Sequence, residues 1–562
     1  MPHRIINLWT SPPDRELQQF ERIQLYARRE RLPWRRQRHA PNEELRAIEA
    51  SGDPLAEARF PLRAASYVPR RLFRDTLKQR FEAELSEASV HALRRSAPHA
   101  SAHRLMTGAQ KLIASALILA AAAFFAAAPL SALITFNVCV TIYFLAAIFF
   151  RLYLTFVGYS APPAPPPDPP LTDEELPVIT ILLPVYDEAD GLALLHQSMN
   201  ALDYPAEKLD IKLIMEADDE KTIAEAQRLG LDRHFDCIIV PPSEPRTKPK
   251  ACNHALYLAR GELVVIYDAE DSPEPDQLRK AAAAFAARDE KLVCVQARLN
   301  YYNASENWLT RMFALEYALW FDNLLPALEA LRIPIPLGGT SNFFRTRTLI
   351  EIGGWDPFNV TEDADLGLRL AQHGYRTDIL DSTTYEEANC KTRNWIRQRS
   401  RWMKGYMQTW LVHMRRPFAF HRVAGWRGTL ATQLFVAGNF FSALINPILW
   451  IVFALWLASG SDFISTVFPG PLLALNLFAL LAGNFFFIYL AVIAPLKRDW
   501  VELSPTALTA PFYWLLTSVA AYKALFQLFT RPSFWEKTDH VLSADAKKRR
   551  ENLLGLKEKE AA

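Results

Sequence analysis

The sequence predicts an α/β domain with a mainly parallel, Rossmann-like sheet, held in the cytosol between α-helical transmembrane segments. Three observations predict it. Two long, nearly uncharged stretches flank a polar centre. Within that centre, short β-branched runs alternate with helical patterns. Three of those runs end in clusters of acidic residues.

The flanks come first. At 562 residues, with 50% hydrophobic and 12% aromatic side chains, the chain holds enough apolar surface for a large core and several spans. A formal net charge of +2 gives no general attraction to nucleic acid, and no nucleic-acid partner is expected. Residues 1–107 form a charged, proline-punctuated cytoplasmic region with helical pieces at Glu43 to Ala50 and Arg71 to Arg95. The arginine-rich run Arg28 to Arg38 reads as a solvated face or a membrane-side anchor. No cleavable signal peptide is expected, because Met1 to Gln110 lacks an apolar core. The five cysteines have no CxxC spacing and predict neither a zinc site nor a disulfide framework.

Residues 108–158 are long enough for two spans broken near Pro129 or Ser131, with both ends in the cytoplasm. A proline-rich linker, 159–177, contains Ala161 to Pro170, which can form neither helix nor ladder. Residues 178–415 follow as the soluble domain with an interface helix. Its strands are expected at Val178 to Pro184, Leu209 to Met215, Leu263 to Tyr267 and Leu292 to Gln296, with helices such as Gly191 to Ala201 and Thr222 to Leu229 between them. Residues 428–530 return to the membrane, with Thr509 to Phe529 expected to lie in the interface. A charged tail, 531–562, carries Lys547 to Arg550 and implies an even number of spans, since both ends are cytoplasmic.

In a parallel sheet the ligand sits beyond the carboxyl ends of the strands. There stand Asp187 and Glu188, then Asp218 and Asp219, then Asp268, Glu270 and Asp271. Helix capping explains one acidic loop readily but three poorly. Hard oxygen ligands at strand ends suit Mg²⁺ or Mn²⁺ beside a nucleotide diphosphate. Arg246 to Asn253 supplies cations for phosphates, Lys250 among them. Gly338-Gly339 lets a ligand approach the backbone, with Thr340 and Ser341 following. Gly353-Gly354 precedes Trp355, which is expected to wall a sugar pocket.

The stretch with the most chemistry is Thr361 to Trp402. Asp363, beside Glu362, can take a proton from a hydroxyl. Gln398 and Arg401 can bind hydroxyl or phosphate oxygens, and Trp402 offers an apolar face to a pyranose.

In the order Pro184-Val-Tyr-Asp-Glu188, Asp218-Asp219, Asp268-Ala-Glu-Asp271, Thr361-Glu-Asp363 and Gln398-x-x-Arg401-Trp402, the chain resembles the membrane-embedded branch of glycosyltransferase family 2. Cellulose, curdlan, chitin and hyaluronan synthases belong to that branch. The similarity runs from about Val178 to Leu411. Tyr267 to Pro275 and Phe534 to Thr538 are similar to bacterial polysaccharide synthases.

The resemblance implies an inverting GT-A domain in the inner membrane that takes a sugar from a UDP-linked donor and passes it to a growing glycan or to a lipid. The Gln-x-x-Arg-Trp residues, with helices on both sides of the domain, point to processive extension of a β-linked polymer. The alternatives are single addition to a lipid and, through the irregular metal motif, a catalytically silent membrane scaffold or export component; export partners are expected. By the resemblance, Asp218 contacts the uridine end of the donor, Asp268 the metal and diphosphate, and Lys250 the phosphates. Asp363 is the base; Gln398, Arg401 and Trp402 bind diphosphate and acceptor. Two departures stand. Asp-Ala-Glu replaces the usual Asp-x-Asp, so either Glu270 or Asp271 gives the second metal oxygen. The tail after Thr538 is too short for a cyclic-nucleotide-sensing barrel.

Overall fold

The computed structural model of the chain describes residues 81–160, 171–460 and 462–537, together with Lys78 and Lys547. The segments at Arg28 to Arg38, Glu43 to Ala50 and Ala161 to Pro170, and most of the basic tail, lie outside the described residues.

Helix α1 (Glu82–Ser96) lies against the soluble domain. Thr107 caps helix α2 (Gly108–Ala127) with a reciprocal bond to Gln110. Pro129 opens helix α3 (Pro129–Ser160), so the chain turns at the expected break. Among the described residues, four helical stretches are long and apolar enough to cross a membrane: Gly108–Ala127, Pro129–Ser160, Pro417–Ser459 and Gly470–Arg498. Leu112, Leu117 and Leu119 on α2 are each exposed by 65% or more, as suits lipid rather than water.

An eight-stranded sheet in the order β3-β2-β1-β4-β7-β6-β8-β5 follows. The first four strands are β1 (Ile179–Val185), β2 (Leu209–Glu216), β3 (Asp236–Val240) and β4 (Leu263–Ile266). The rest are β5 (Ser272–Pro273), β6 (Leu292–Tyr301), β7 (Asn342–Arg345) and β8 (Arg376–Glu386). Strands β1 to β4 pair in parallel, as do β6 and β8. Strand β7 runs antiparallel between β4 and β6, so the sheet is mixed but mainly parallel.

Alternation along the strands divides the core in two. Leu182 and Val264 enter one cluster, whereas Ile181, Leu183 and Val265 enter the other, on the opposite face. Each fully buried aliphatic side chain stabilises the sheet by roughly 1.5–3 kcal/mol. That burial fixes where the strands end, and the acidic loops start there.

Beyond the strands, helix α4 (Lys248–Leu256) precedes β4, and helix α5 (Trp308–Leu319) follows β6. Helix α6 (Glu362–Gln372) carries the acidic triplet, and helix α7 (Thr392–His413) carries the Gln-x-x-Arg-Trp residues. Helices α8 (Pro417–Ala431) and α9 (Gly438–Ser459) form one long rod with a bend at Gly425, where φ is 67°. Helix α10 (Ala510–Thr530) packs along α7. It is not among the four apolar stretches, yet Phe512, Leu515, Val519, Phe526 and Phe529 leave one of its faces apolar and exposed.

Candidate active site

A cavity of about 560 Å³ opens at the carboxyl ends of β1, β2 and β4. Asp268, Glu270, Glu362, Asp363, Gln398, Arg401 and Trp402 line it together, although 134 positions separate the first from the last.

The floor is the loop after β4. Lys248 Nζ lies 2.5 Å from Asp268 Oδ1 and donates to the carbonyl oxygen of Gly339 at 2.7 Å. Asp271 points inward, where its Oδ2 accepts from the backbone N–H of Asp268 at 2.8 Å and from the Thr340 hydroxyl. Of the two candidates for the second metal oxygen, Glu270 therefore faces the cavity and Asp271 shapes the loop beneath it.

Glu386 completes this acidic wall. Burial, with the charges of Asp271, Glu270 and Asp268 adding to it, pushes its carboxyl well above the usual range. A bound divalent cation would relieve that repulsion, and Asp268 and Glu270 offer the hard oxygens it would take. Among the described residues no group of three or more His, Cys, Asp or Glu is arranged to hold a metal. The ion would therefore take part of its shell from phosphate oxygens.

Helix α6 brings the second set. Its first turn holds Glu362 and Asp363, and the Ala364 N–H donates to Asp363 Oδ1 at 2.7 Å. Burial raises both carboxyls; for Glu362 the charge of Asp363 adds to the rise, and for both Lys248 and Arg401 oppose it. Two glycines allow this closeness. A Cβ on Gly339 would sit 3.3 Å from Asp363 Oδ2, and one on Gly405 of α7 would meet Thr361 Cγ2 at 2.3 Å. Gly405 thus lets α6 and α7 touch where the acidic triplet meets the Arg-Trp pair. Sequence reading passed over it, because a lone helical glycine carries no distinctive signal.

On α7, Arg399 pairs with Glu316 of α5 at 2.7 and 2.5 Å and donates to the Tyr513 hydroxyl at 2.9 Å. Its guanidinium also lies over the rings of Phe313, Trp395 and Trp402. Arg401 stacks over Trp535 at 4.3 Å, while its buried Nε has no hydrogen-bond partner among the described residues. A cation in that state suits an anionic ligand.

Ser533, Phe534, Trp535 and Lys537 cover part of the cavity. Lys404 donates to the Phe534 carbonyl oxygen at 2.7 Å, and Lys537 donates to the Tyr186 carbonyl oxygen at 2.6 Å.

Several expected site residues lie elsewhere. Lys250 is fully buried and donates to Glu216 Oε2 at 2.8 Å, so it props up a wall residue, and Lys248 meets the cavity instead. Trp355 is 1% exposed and packs edge-on against Phe344 in the core, so it walls no pocket. Its preceding glycines, at φ 88° and 66°, make a tight turn instead. Ser341 is buried and bonds Thr384 Oγ1 at 2.7 Å, while Thr340 keeps a place on the wall.

Asp219 is also buried. Its side chain caps the helix Glu220–Arg228 and accepts from the Asp187 N–H. Asp187 lies outside the wall and pairs with Lys537 at 3.1 Å, whereas Glu188 lines it. Asp218 stands behind Arg246, 2.5 Å away, and Arg246 lines the cavity.

Residues 263–496 match the family model described as glycosyl transferase family group 2. The chain is 29% identical over 245 residues to a beta-monoglucosyldiacylglycerol synthase of Trichormus variabilis, covering 42% of this chain and 50% of the relative. It is 26% identical over 236 residues to a probable glycosyltransferase, YdaM, of Bacillus subtilis, covering 41% and 56%. It is 25% identical over 292 residues to glucomannan 4-beta-mannosyltransferase 1 of Oryza sativa subsp. japonica, covering 50% and 55%. The chain thus spans about half the length of the curated relatives it matches. Among solved structures, a mannosyltransferase of Pyrobaculum calidifontis in complex with GDP-Man and Mn²⁺ aligns at a TM-score of 0.45 and 20% identity, over 71% of this chain and 99% of that one.

Proposed function

From the match of residues 263–496 to the glycosyl transferase family group 2 model, we propose that the chain is an inverting membrane glycosyltransferase. In this reading it takes a sugar from a nucleotide-activated donor, UDP-linked, and extends a β-linked exopolysaccharide at the inner membrane. It adds sugars processively and passes the polymer outward. The observation that supports it most is the common cavity of Asp268, Asp363, Arg401 and Trp402.

The acceptor hydroxyl attacks the anomeric carbon in line, and the bond from that carbon to the diphosphate oxygen breaks. Its electron pair leaves with the nucleoside diphosphate. Asp363 receives the hydroxyl proton. Lys248 and Arg401 offset the charge that grows on the leaving diphosphate. Trp402 supports the acceptor ring. A divalent cation held by Asp268 and Glu270 would supply further positive charge at the diphosphate.

One contact favours a second reading. Asn439, on α9 in an apolar stretch long enough to span, also lines the cavity. A lipid acceptor entering from the bilayer would meet the same wall, and one relative is named for a glycolipid product.

Membranes holding the chain, incubated with radiolabelled UDP-sugars, separate these readings. Label in a long, ethanol-insoluble polymer supports processive extension. Label extracted wholly into organic solvent supports the lipid acceptor. No transfer from any nucleotide sugar overturns both.

A further inference from the structure

A second cavity, of about 1240 Å³, shares no lining residue with the first. Two of the stretches long enough to span end at its rim, Pro129–Ser160 and Gly470–Arg498. Lys497 Nζ ties them together, donating to the carbonyl oxygen of Gly158 at 2.8 Å and to that of Asp322 at 3.0 Å. Val423 and Ala424 of α8 line the same rim, and Trp426 beside them is 63% exposed. These ends place the cavity where the spans would emerge from a bilayer on the side of the catalytic domain.

Its charge is uneven. Arg288, Arg298, Arg332, Arg376 and Lys497 line it. Four acids also line it, but their charge is largely engaged. Asp322 takes Arg498 through both oxygens at 2.6 and 2.8 Å, and Asp381 takes Arg298 at 2.8 Å. Asp378 sits between two guanidinium groups, 3.5 Å from Arg288 and 3.6 Å from Arg376. Burial, helped by Asp378, pushes the Glu329 carboxyl up to about 7, which reduces its negative charge near neutral pH. Lys497 and Arg332 remain as positive charge beside an apolar wall of Phe156, Val157 and Val423.

We propose that this cavity binds an anionic phospholipid of the membrane, its phosphate headgroup beside Arg332 and Lys497 and its acyl chains along Phe156, Val157 and Val423. Guanidinium forks match phosphate oxygens in pairs, and a polar pocket with one apolar side fits a molecule with the same division. The site is separate from sugar transfer, so its test needs no transferase activity.

The full chain, purified in detergent with equal amounts of phosphatidylglycerol and phosphatidylcholine, is examined by native mass spectrometry. The wild type is expected to retain the anionic lipid about tenfold over the zwitterionic one, and Arg332→Gln with Arg376→Gln to lower that preference about fivefold. Arg347→Gln, whose partner is Glu351 outside the cavity, leaves it unchanged. Equal retention of both lipids by the wild type overturns the proposal, as does a double variant that keeps the full preference. Should the double variant fail to fold, melting of the wild type in nanodiscs decides. Stabilisation by phosphatidylglycerol over phosphatidylcholine supports the site, and stabilisation by inorganic phosphate alone overturns the lipid assignment.

Discussion

Arg399 holds its guanidinium carbon 4.9 Å from the ring centre of Trp402, and Tyr317 stacks on that indole at 6.4 Å. Glu316 and Tyr513, from α5 and α10, keep the guanidinium in place. The orientation of Trp402 therefore depends on a buried charge held by two other helices. Glu316→Gln leaves Arg399 without its carboxylate and is expected to cost about 2–3 kcal/mol, less than the roughly 3–5 kcal/mol of a fully buried pair because Glu316 is partly open to the cavity. Chemical denaturation measures that loss, and a rise in acceptor KM larger than the fall in kcat reports the displaced indole.

Gly405→Ala puts a methyl group where Thr361 Cγ2 stands 2.3 Å away. Helices α6 and α7 must then part, moving Asp363 from Arg401 and Trp402. A displacement near 1 Å is expected to lower kcat/KM by about 10²-fold. Gly108→Ala, with open space around it, leaves the rate unchanged in the same assay.

Lys248 and Lys250 separate by outcome. Lys248→Met removes the cation beside Asp268 and is expected to lower kcat by about 10²-fold or more with the melting temperature kept. Lys250→Met leaves Glu216 buried and unpaired, so it lowers the melting temperature first. The reverse pattern would return Lys250 to the phosphates.

The acid limb of the rate profile follows from Asp363. Burial raises its carboxyl to about 6, so the unprotonated base is present above that pH and lost as pH falls through it. The limb of kcat/KM is expected near 6, not near the ordinary aspartate value. Lys248 favours the charged form, so Lys248→Met shifts the limb to higher pH. A limb that stays in place would separate Lys248 from the base.

Much of this was legible in the sequence where apolar runs are long. Strands β1, β2, β4 and the start of β6 read directly from their β-branched residues, and the two halves of the amino-terminal hairpin from length and lack of charge. Strand β8 escaped because Arg376-Thr-Asp-Ile-Leu-Asp alternates poorly and is only partly buried. Strand β7 escaped because it is only four residues long, with polar Asn342 and Arg345 at its ends and Phe343 and Phe344 as its only apolar pair.

At the site, the residue types were legible but their directions were not. Lys248 and Lys250 are two positions apart on one helix, so they point to nearly opposite sides, and only the packed sheet shows which side is the cavity. Trp355 looked like a pocket wall because glycines precede it, but those glycines serve a turn that sends the indole into the core.

The most direct measurement is nucleoside diphosphate release by the purified wild type and Asp363→Asn, each with Mn²⁺, a panel of nucleotide sugars and an acceptor, alongside donor binding by calorimetry. The account predicts that Asp363→Asn binds the donor as tightly as the wild type and releases diphosphate about 10²–10⁴-fold more slowly. Equal release rates, or loss of donor binding without a change in the chemical step, would contradict it.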